Sequence, residues 1–175
     1  VSFLSSMISS SDPPAPEPTV SEGDIAEILY TGGTTKHPKG VPITHGLFLV
    51  SADEQLSVRD PLFPKDRDII LGGAPLFHIL GQTCSLSTIV VGGGTLILMP
   101  RVNMDAVMES IQRLSATSLI GVPAFYRMIL EHDRVDQYDM SSLRYCFCAG
   151  DVLPVEVANR WKRRFNLDIF QGYGA

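Results

Sequence analysis

Residues 30–45 read YTGGTTKHPKGVPITH, with three glycines, four threonines and two lysines directly after the apolar run IAEILY at 25–30. Such a composition suits a loop that holds an anion. Glycine admits left-handed backbone and lets the chain approach a ligand closely, and successive backbone N–H groups in such a bend form an anion-binding concavity. The hydroxyls of Thr31, Thr34 and Thr35 add neutral donors, and Lys39 adds a fixed positive charge. Pro38 stiffens the exit of the loop. Together these groups suit a polyphosphate. The Walker pattern G-x-x-x-x-G-K-[ST] fails, because the place of its second glycine, counted from Gly33, is Pro38, and Lys39 is followed by Gly40. The dinucleotide pattern G-x-G-x-x-G fails as well, because Gly32 and Gly33 are adjacent. Residue types alone leave two readings, a phosphate cradle of another kind or a mobile surface turn.

Three further positions carry groups that could act, each with a plainer alternative. His78 lies in the apolar turn PLFHILG and could equally be a satisfied core histidine. Asp151 follows Ala149-Gly150 and could cap a helix ahead of Pro154. Tyr173 in QGYGA could be a packing aromatic. The cysteines point away from metal and disulfide chemistry. Cys84, Cys146 and Cys148 are odd in number and lack a second Cys or His pair. Cys146 and Cys148 alternate along an apolar run, so they share one strand face and read as buried free thiols. A reducing, cytoplasmic compartment follows.

The elements that must position these groups alternate. A strand at 25–30 precedes the loop, and a helix follows over 45–58, with Thr44 as its cap and Leu47, Val50 and Leu56 turned inward. DIILGGAP at 68–75 reads as a strand, followed by a turn into an apolar buried helix. The next strand runs from Thr95 to Met99, and Asn103 caps a helix whose inward stripe is Met104, Val107, Met108, Ile111 and Leu114. TSLIGVP is a strand, and Pro123 starts a helix with Phe125, Met128 and Ile129 inward. LRYCFCAG is a strand, and Pro154 opens a helix carrying Val157, Trp161 and Phe165 at four-residue spacing. A last strand lies within LDIFQGYGA. Strand–helix alternation predicts an α/β fold, a layered, largely parallel sheet flanked by helices. In such sheets ligands bind beyond the carboxyl ends of the strands, where the glycine-bearing loops 31–40, 149–151 and 171–174 are expected. Residues 1–23 are Ser/Pro-rich and read as a flexible arm, leaving 24–175 as the folded part.

Composition excludes other classes. The 175 residues carry a formal net charge of −5 and no basic stripe, which argues against a nucleic-acid partner. Lys162-Arg163-Arg164 reads as a solvated helix face. The uncharged stretch 79–100 is broken by polar residues and by Gly92-Gly93-Gly94, so it predicts no membrane span.

The motifs resemble those of the adenylate-forming superfamily, which includes acyl-CoA synthetases, nonribosomal adenylation domains and firefly-type luciferases. YTGGTTKHPKGV resembles its signature [YF]-T-[SG]-G-[ST]-T-G-x-P-K-G. PLFHILG resembles the second core motif, VPAFYRMIL the V-P-[TS]-x-[FY] helix, LRYCFCAGDVLPVEVANRWKRRF the strand, turn and helix beside the adenine pocket, and QGYGA the start of Q-G-Y-G-x-T-E, all in family order. The resemblance implies that Thr31, Gly32, Gly33, Thr34, Thr35 and Lys39 embrace the β- and γ-phosphates of ATP. It implies that Gly150, Asp151 and Val152 line the adenine edge, that Tyr173 stacks on the base, and that Gly172 and Gly174 keep backbone near it. His78 would sit by the carboxylate, so His78 and Lys39 are the implied catalytic residues. The implied chemistry is ATP-dependent: a carboxylate is activated as acyl-AMP, with Mg²⁺ bridging phosphate oxygens, and coenzyme A then displaces AMP. Gly32, in place of the more usual Ser, tilts the expected acid toward a fatty acid; a carrier-protein-loading domain and a non-catalytic nucleotide-binding relative are the alternatives. Lys36 stands where the family has Gly, and its side chain resists a positive φ. The resemblance also implies residues beyond both ends, so the chain is expected to be an internal excerpt of the large N-terminal domain, inactive alone.

Overall fold

The computed structural model describes residues 19–32, 37–59, 67–99 and 102–174. Gly33, Thr34, Thr35 and Lys36 lie outside the described residues, as does most of the arm read at 1–23.

The centre is a five-stranded parallel sheet in the order β4-β3-β5-β6-β7, formed by β3 (Ile69–Gly72), β4 (Thr95–Ile97), β5 (Ser118–Gly121), β6 (Tyr145–Cys148) and β7 (Ile169–Gln171). Its register runs through pairs such as Ile70 with Ser118, Leu119 with Cys146 and Cys148 with Gln171. Alternation along each strand assigns the two faces. Leu71, Leu119, Cys146 and Cys148 face a core closed by α4 (Met104–Leu114), α5 (Pro123–Leu130) and α6 (Val155–Phe165). Ile70, Ile120 and Tyr145 face the other core, shared with Leu80 and Cys84. Asn103 caps α4 as its sequence predicts, its side-chain oxygen accepting from the Ala106 N–H at 3.1 Å. Trp161 of α6 packs edge-on against Tyr126, ring centres 4.9 Å apart. The Tyr126 hydroxyl is shared between the carbonyls of Leu119 and Phe147 at 2.7 and 2.9 Å, so it ties α5 to two neighbouring strands. The basic run on α6 is a solvated face, with Lys162 paired to Asp168 and Arg164 to Asp136.

On the second face, α1 (His45–Arg59) lies against an unusual helical run. This run is one turn of α2 (Ile79–Gly81), a π-helical segment at Gln82–Ser87, and α3 (Thr88–Gly92). The wider turn is supported by hydroxyls that reach five residues back: Ser87 donates to the Gln82 carbonyl at 2.8 Å and Thr88 to the Thr83 carbonyl at 2.9 Å. Such bulges are concentrated at functional sites.

Several expectations need correction. The 25–30 strand is not part of the parallel sheet. It is β1 (Ile25–Thr31) of a separate antiparallel ribbon with β2 (Lys39–Thr44), a strand that no sequence pattern announces. Both strands of a two-stranded ribbon are edges, where proline's missing N–H is harmless. Thr31 and Lys39 therefore sit on an antiparallel ribbon, not at the carboxyl end of a parallel strand. Thr44 does cap α1, accepting from the Leu47 N–H at 3.2 Å, but Leu47 and Val50 are exposed. The buried face of α1 is Ala52, Leu56 and Arg59, rotated from the expected stripe because the helix packs on the π-helical run. Leu114 and Met128 are likewise exposed, both near helix ends. The 95–99 strand ends at Ile97.

The three thiols are buried and unpaired. Burial pushes Cys146 up to about 12 and Cys148 up to about 11, and it raises Cys84 as well. The fold thus favours the neutral thiol over a thiolate. Stability drawn from this preference is complete below the ordinary thiol value near 9.0 and is lost as pH climbs from there toward about 12. The urea midpoint is expected to fall above pH 9, with a shallower fall in Cys146→Ala. An Ellman-type reagent at pH 8 should label neither Cys146 nor Cys148 until urea is added; rapid labelling of the native chain contradicts their burial.

Candidate functional site

Three loops converge beyond the carboxyl ends of β3, β6 and β7. The β3 exit runs through Pro75 to His78, the β6 exit is Ala149-Gly150, and the β7 exit is Gly172–Gly174. They border one cleft of about 320 Å³, with the π-helical segment contributing Thr83 and Cys84 and α1 contributing a third wall. A second concavity of about 510 Å³ shares Gly150 and Gly172–Gly174 with the first and adds Asp151, Val152 and Gln171.

Local chemistry fixes each loop. Gly150 has φ +87°, a left-handed conformation that a side chain would strain. The Gly172 N–H donates to the Cys148 carbonyl at 3.0 Å, and the Gln171 amide reaches the Asp151 carbonyl at 3.3 Å, so the β6 and β7 exits are cross-tied. Gly172 is required by packing: a Cβ there would lie 2.3 Å from the Phe147 ring, which lines the cleft. Asp151 does not cap α6. Its carboxylate accepts from the Val152 N–H at 2.7 Å, and the N-cap is Pro154 without a side-chain bond.

His78 is exposed, so it is not a core histidine. It caps α2, with Nδ1 accepting from the Leu80 N–H at 3.2 Å. An accepting Nδ1 carries no proton, which leaves Nε2–H as the ring's donor. Tyr173 is 99% exposed and packs against no core. Its hydroxyl and both ring faces are open to a ligand.

The hairpin residues stand apart from the cleft. Thr31 pairs with Lys39 at the end of the β1–β2 ribbon, both are exposed, and neither they nor Gly32 line either concavity. The ribbon is nonetheless tied to the cleft's framework. Glu27 of β1 accepts from the Gln82 amide at 3.0 Å, at the first residue of the π-helical segment. The structure therefore brings together His78, Gly150, Gly172, Tyr173 and Gly174, sets Asp151 and Val152 beside them, and leaves Thr31, Gly32 and Lys39 on a separate ribbon. Among the described residues no group of three or more His, Cys, Asp or Glu side chains could hold a metal ion.

Sequence reasoning missed Ser51, Glu54 and Gln55 of α1, and Thr83, Cys84 and Phe147, all of which border the cleft. Thr83 left a trace as a polar break in the uncharged run after His78, and Cys84 only as a cysteine without a metal or disulfide partner.

A family model described as "AMP-binding enzyme" matches residues 3–175. The chain belongs to this AMP-binding family. It is 32% identical over 153 residues to a long-chain-fatty-acid–CoA ligase of Bacillus subtilis, covering 87% of this chain and 27% of that relative. It is 35% identical over 169 residues to a feruloyl-CoA synthase of an Amycolatopsis species, covering 95% of this chain and 33% of that relative. Among solved structures, the anthranilate CoA ligase AuaEII in complex with anthranoyl-AMP matches with TM-score 0.79 and 30% identity, covering 88% of this chain and 30% of that one. The N-terminal domain of FACL13 from Mycobacterium tuberculosis matches with TM-score 0.82 and 28% identity, covering 99% of this chain and 42% of that one. The chain thus spans 27% to 33% of the length of these curated relatives. Its parallel sheet flanked by helices is the family's fold, and the two curated relatives above are a CoA ligase and a CoA synthase. No helix among the described residues is long and apolar enough to cross a membrane.

Proposed function

We propose that this chain carries the nucleotide and acid sites of an AMP-forming acid–CoA ligase. The observation that carries the reading is the convergence of His78, Gly150 and Gly172–Gly174 on one cleft at the carboxyl ends of β3, β6 and β7, in a member of the AMP-binding family. In this reading adenine lies along Gly150, Asp151 and Val152, with Tyr173 stacked on it. Thr31, Gly32, Gly33, Thr34, Thr35 and Lys39 take the β- and γ-phosphates, and Gly174 lets backbone approach the base. The His78 Nε2–H donates to the substrate carboxylate and orients it. One carboxylate oxygen then attacks the α-phosphorus, a P–O bond to pyrophosphate breaks, and acyl-AMP remains. The thiol of coenzyme A next attacks the acyl carbon, the C–O bond to AMP breaks, and the thiol proton passes to solvent. The chain's contribution is positioning and electrostatics, a class of effect that supplies several kcal/mol of barrier lowering.

Gly32 favours a fatty acid, and a fatty-acid–CoA ligase stands among the relatives beside feruloyl- and coumarate-CoA ligases. The three unpaired buried thiols support a reducing, cytoplasmic setting. The test is a panel of carboxylic acids with the full-length protein, ATP and coenzyme A, scored by AMP release. At least one acid should give AMP release that requires coenzyme A. Release that instead requires a carrier protein supports the carrier-loading alternative, and ATP binding with no turnover on any acid supports a non-catalytic relative.

A further inference from the structure

We infer that Glu27 is a positioning residue for acyl-adenylate formation: through Gln82 it holds the ribbon that carries Lys39 at a fixed place relative to the turn that carries His78. This role rests on the ligase reading above, in which the ribbon takes the β- and γ-phosphates and His78 orients the acid.

The groups that must meet around the reacting atoms stand on different elements. Thr31 and Lys39 pair at the far end of the β1–β2 ribbon, and His78 opens the helical run that borders the cleft. At its near end the ribbon is anchored to α1, where the N–H groups of His45 and Gly46 donate to the carbonyls of Asp24 and Glu22 at 3.1 and 2.8 Å. Among the described residues, one hydrogen bond joins the ribbon to the helical run, from the Gln82 amide to Glu27 Oε2 at 3.0 Å. Gln82 stands one turn past His78. Its backbone N–H donates to the His78 carbonyl at 3.1 Å, and its own carbonyl accepts from the Ser87 hydroxyl at 2.8 Å. The turn between them is packed hard on the β3 exit, since a Cβ on Gly81 would lie 2.3 Å from the Pro75 carbonyl oxygen. A shift of Glu27 is therefore passed along hydrogen bonds to His78. The ribbon's register is irregular between Ile25 and Glu27, a feature of the kind that re-aims a side chain, and Glu27 lies on the half-buried face of β1. The walls around the pair are apolar, with Phe48, Leu49, Leu86 and Val90. Glu27 Oε1 and Gln82 Oε1 are both buried there with no hydrogen-bond partner among the described residues. Burying acceptors that make no bond opposes folding, so two apolar side chains would serve stability better. What the polar pair supplies, and an apolar pair does not, is direction: a hydrogen bond of restricted length and angle. Direction matters for in-line attack, where a misplacement of about 1 Å costs roughly a hundredfold in rate.

The β- and γ-phosphates depart as pyrophosphate in the first half-reaction, so the second does not need the ribbon in place. The test separates the two steps in the full-length protein, with the acid that releases AMP fastest in the panel above. Glu27→Ala should lower kcat for ATP–pyrophosphate exchange about tenfold or more, with the KM for ATP and for the acid each within about threefold of wild type. Transfer to coenzyme A from the synthetic acyl-AMP of the same acid should keep its wild-type rate. Exchanging the partners, Glu27→Gln with Gln82→Glu, recreates a carboxylate–amide hydrogen bond and should return exchange to within about threefold of wild type. Glu27→Leu with Gln82→Leu removes both unpartnered acceptors, so the melting temperature should hold while exchange stays as low as in Glu27→Ala. Exchange within about threefold of wild type in that apolar pair, equal loss of both half-reactions in it, or no recovery in the exchanged pair overturns the role of Glu27 and leaves the ligase reading intact. A wild-type protein that releases no AMP with any acid overturns the ligase reading and this role with it.

Discussion

Asp68→Ala is expected to destabilise the fold by about 3–5 kcal/mol, because it strands a charge in the core. Arg59 and Asp68 are each about 1% exposed and pair at 2.9 Å between Nη1 and Oδ2. The other Asp68 oxygen accepts from the Thr117 and Ser118 hydroxyls, both at 2.7 Å. The second Arg59 nitrogen donates to the Cys84 carbonyl at 2.9 Å, and the guanidinium lies 5.1 Å from the centre of the Tyr145 ring. One cluster thereby joins α1, the start of β3, the start of β5 and the π-helical segment. Removing the carboxylate leaves a buried cation and two hydroxyls without their acceptor. For a chain of this size the loss corresponds to a melting temperature lower by roughly 6–20 °C. Replacing both partners, Asp68→Leu with Arg59→Met, should recover part of the loss, since an apolar pair needs no compensation. A thermal melt of Asp68→Ala within about 2 °C of wild type would show that the pair does not hold these elements together.

Lys39→Met in the full-length protein should lower ATP–pyrophosphate exchange by about 10²- to 10³-fold in kcat/KM, the scale expected when one preorganised group that meets developing charge is removed. Lys39 is exposed at the end of the β1–β2 ribbon and shares no core contact, so its melting temperature should hold. That separation makes the result diagnostic: activity falls while the fold stays. Lys39→Arg should retain part of the activity, because the charge survives although its shape changes. A loss of less than about threefold in Lys39→Met would remove Lys39 from the phosphate site and, with it, the polyphosphate reading of the glycine–threonine loop.

The sequence by itself determined whatever rests on local pattern. Alternation in LRYCFCAG placed Cys146 and Cys148 on one buried face, the 3.6-residue stripe placed Met104, Val107, Met108 and Ile111 in the core, and Asn103 marked a helix start. Short motifs with strong backbone demands were legible too, and the glycine loops at 149–151 and 171–174 do lie at the carboxyl ends of parallel strands. Only the tertiary structure decided which faces are covered and which distant groups meet. It turned Leu47 and Val50 outward and Arg59 inward, because α1 packs on a π-helical run that periodicity does not announce. It set the glycine–threonine loop on a separate antiparallel ribbon, because a two-stranded edge tolerates Pro42. It joined Arg59 to Asp68 and to the Cys84 carbonyl, 25 residues away, and brought the polar face of α1 to the His78 cleft. Periodicity records how each segment could bury one side. Which side meets what is settled by the packing of all segments at once, and a cleft exists only after that packing is complete.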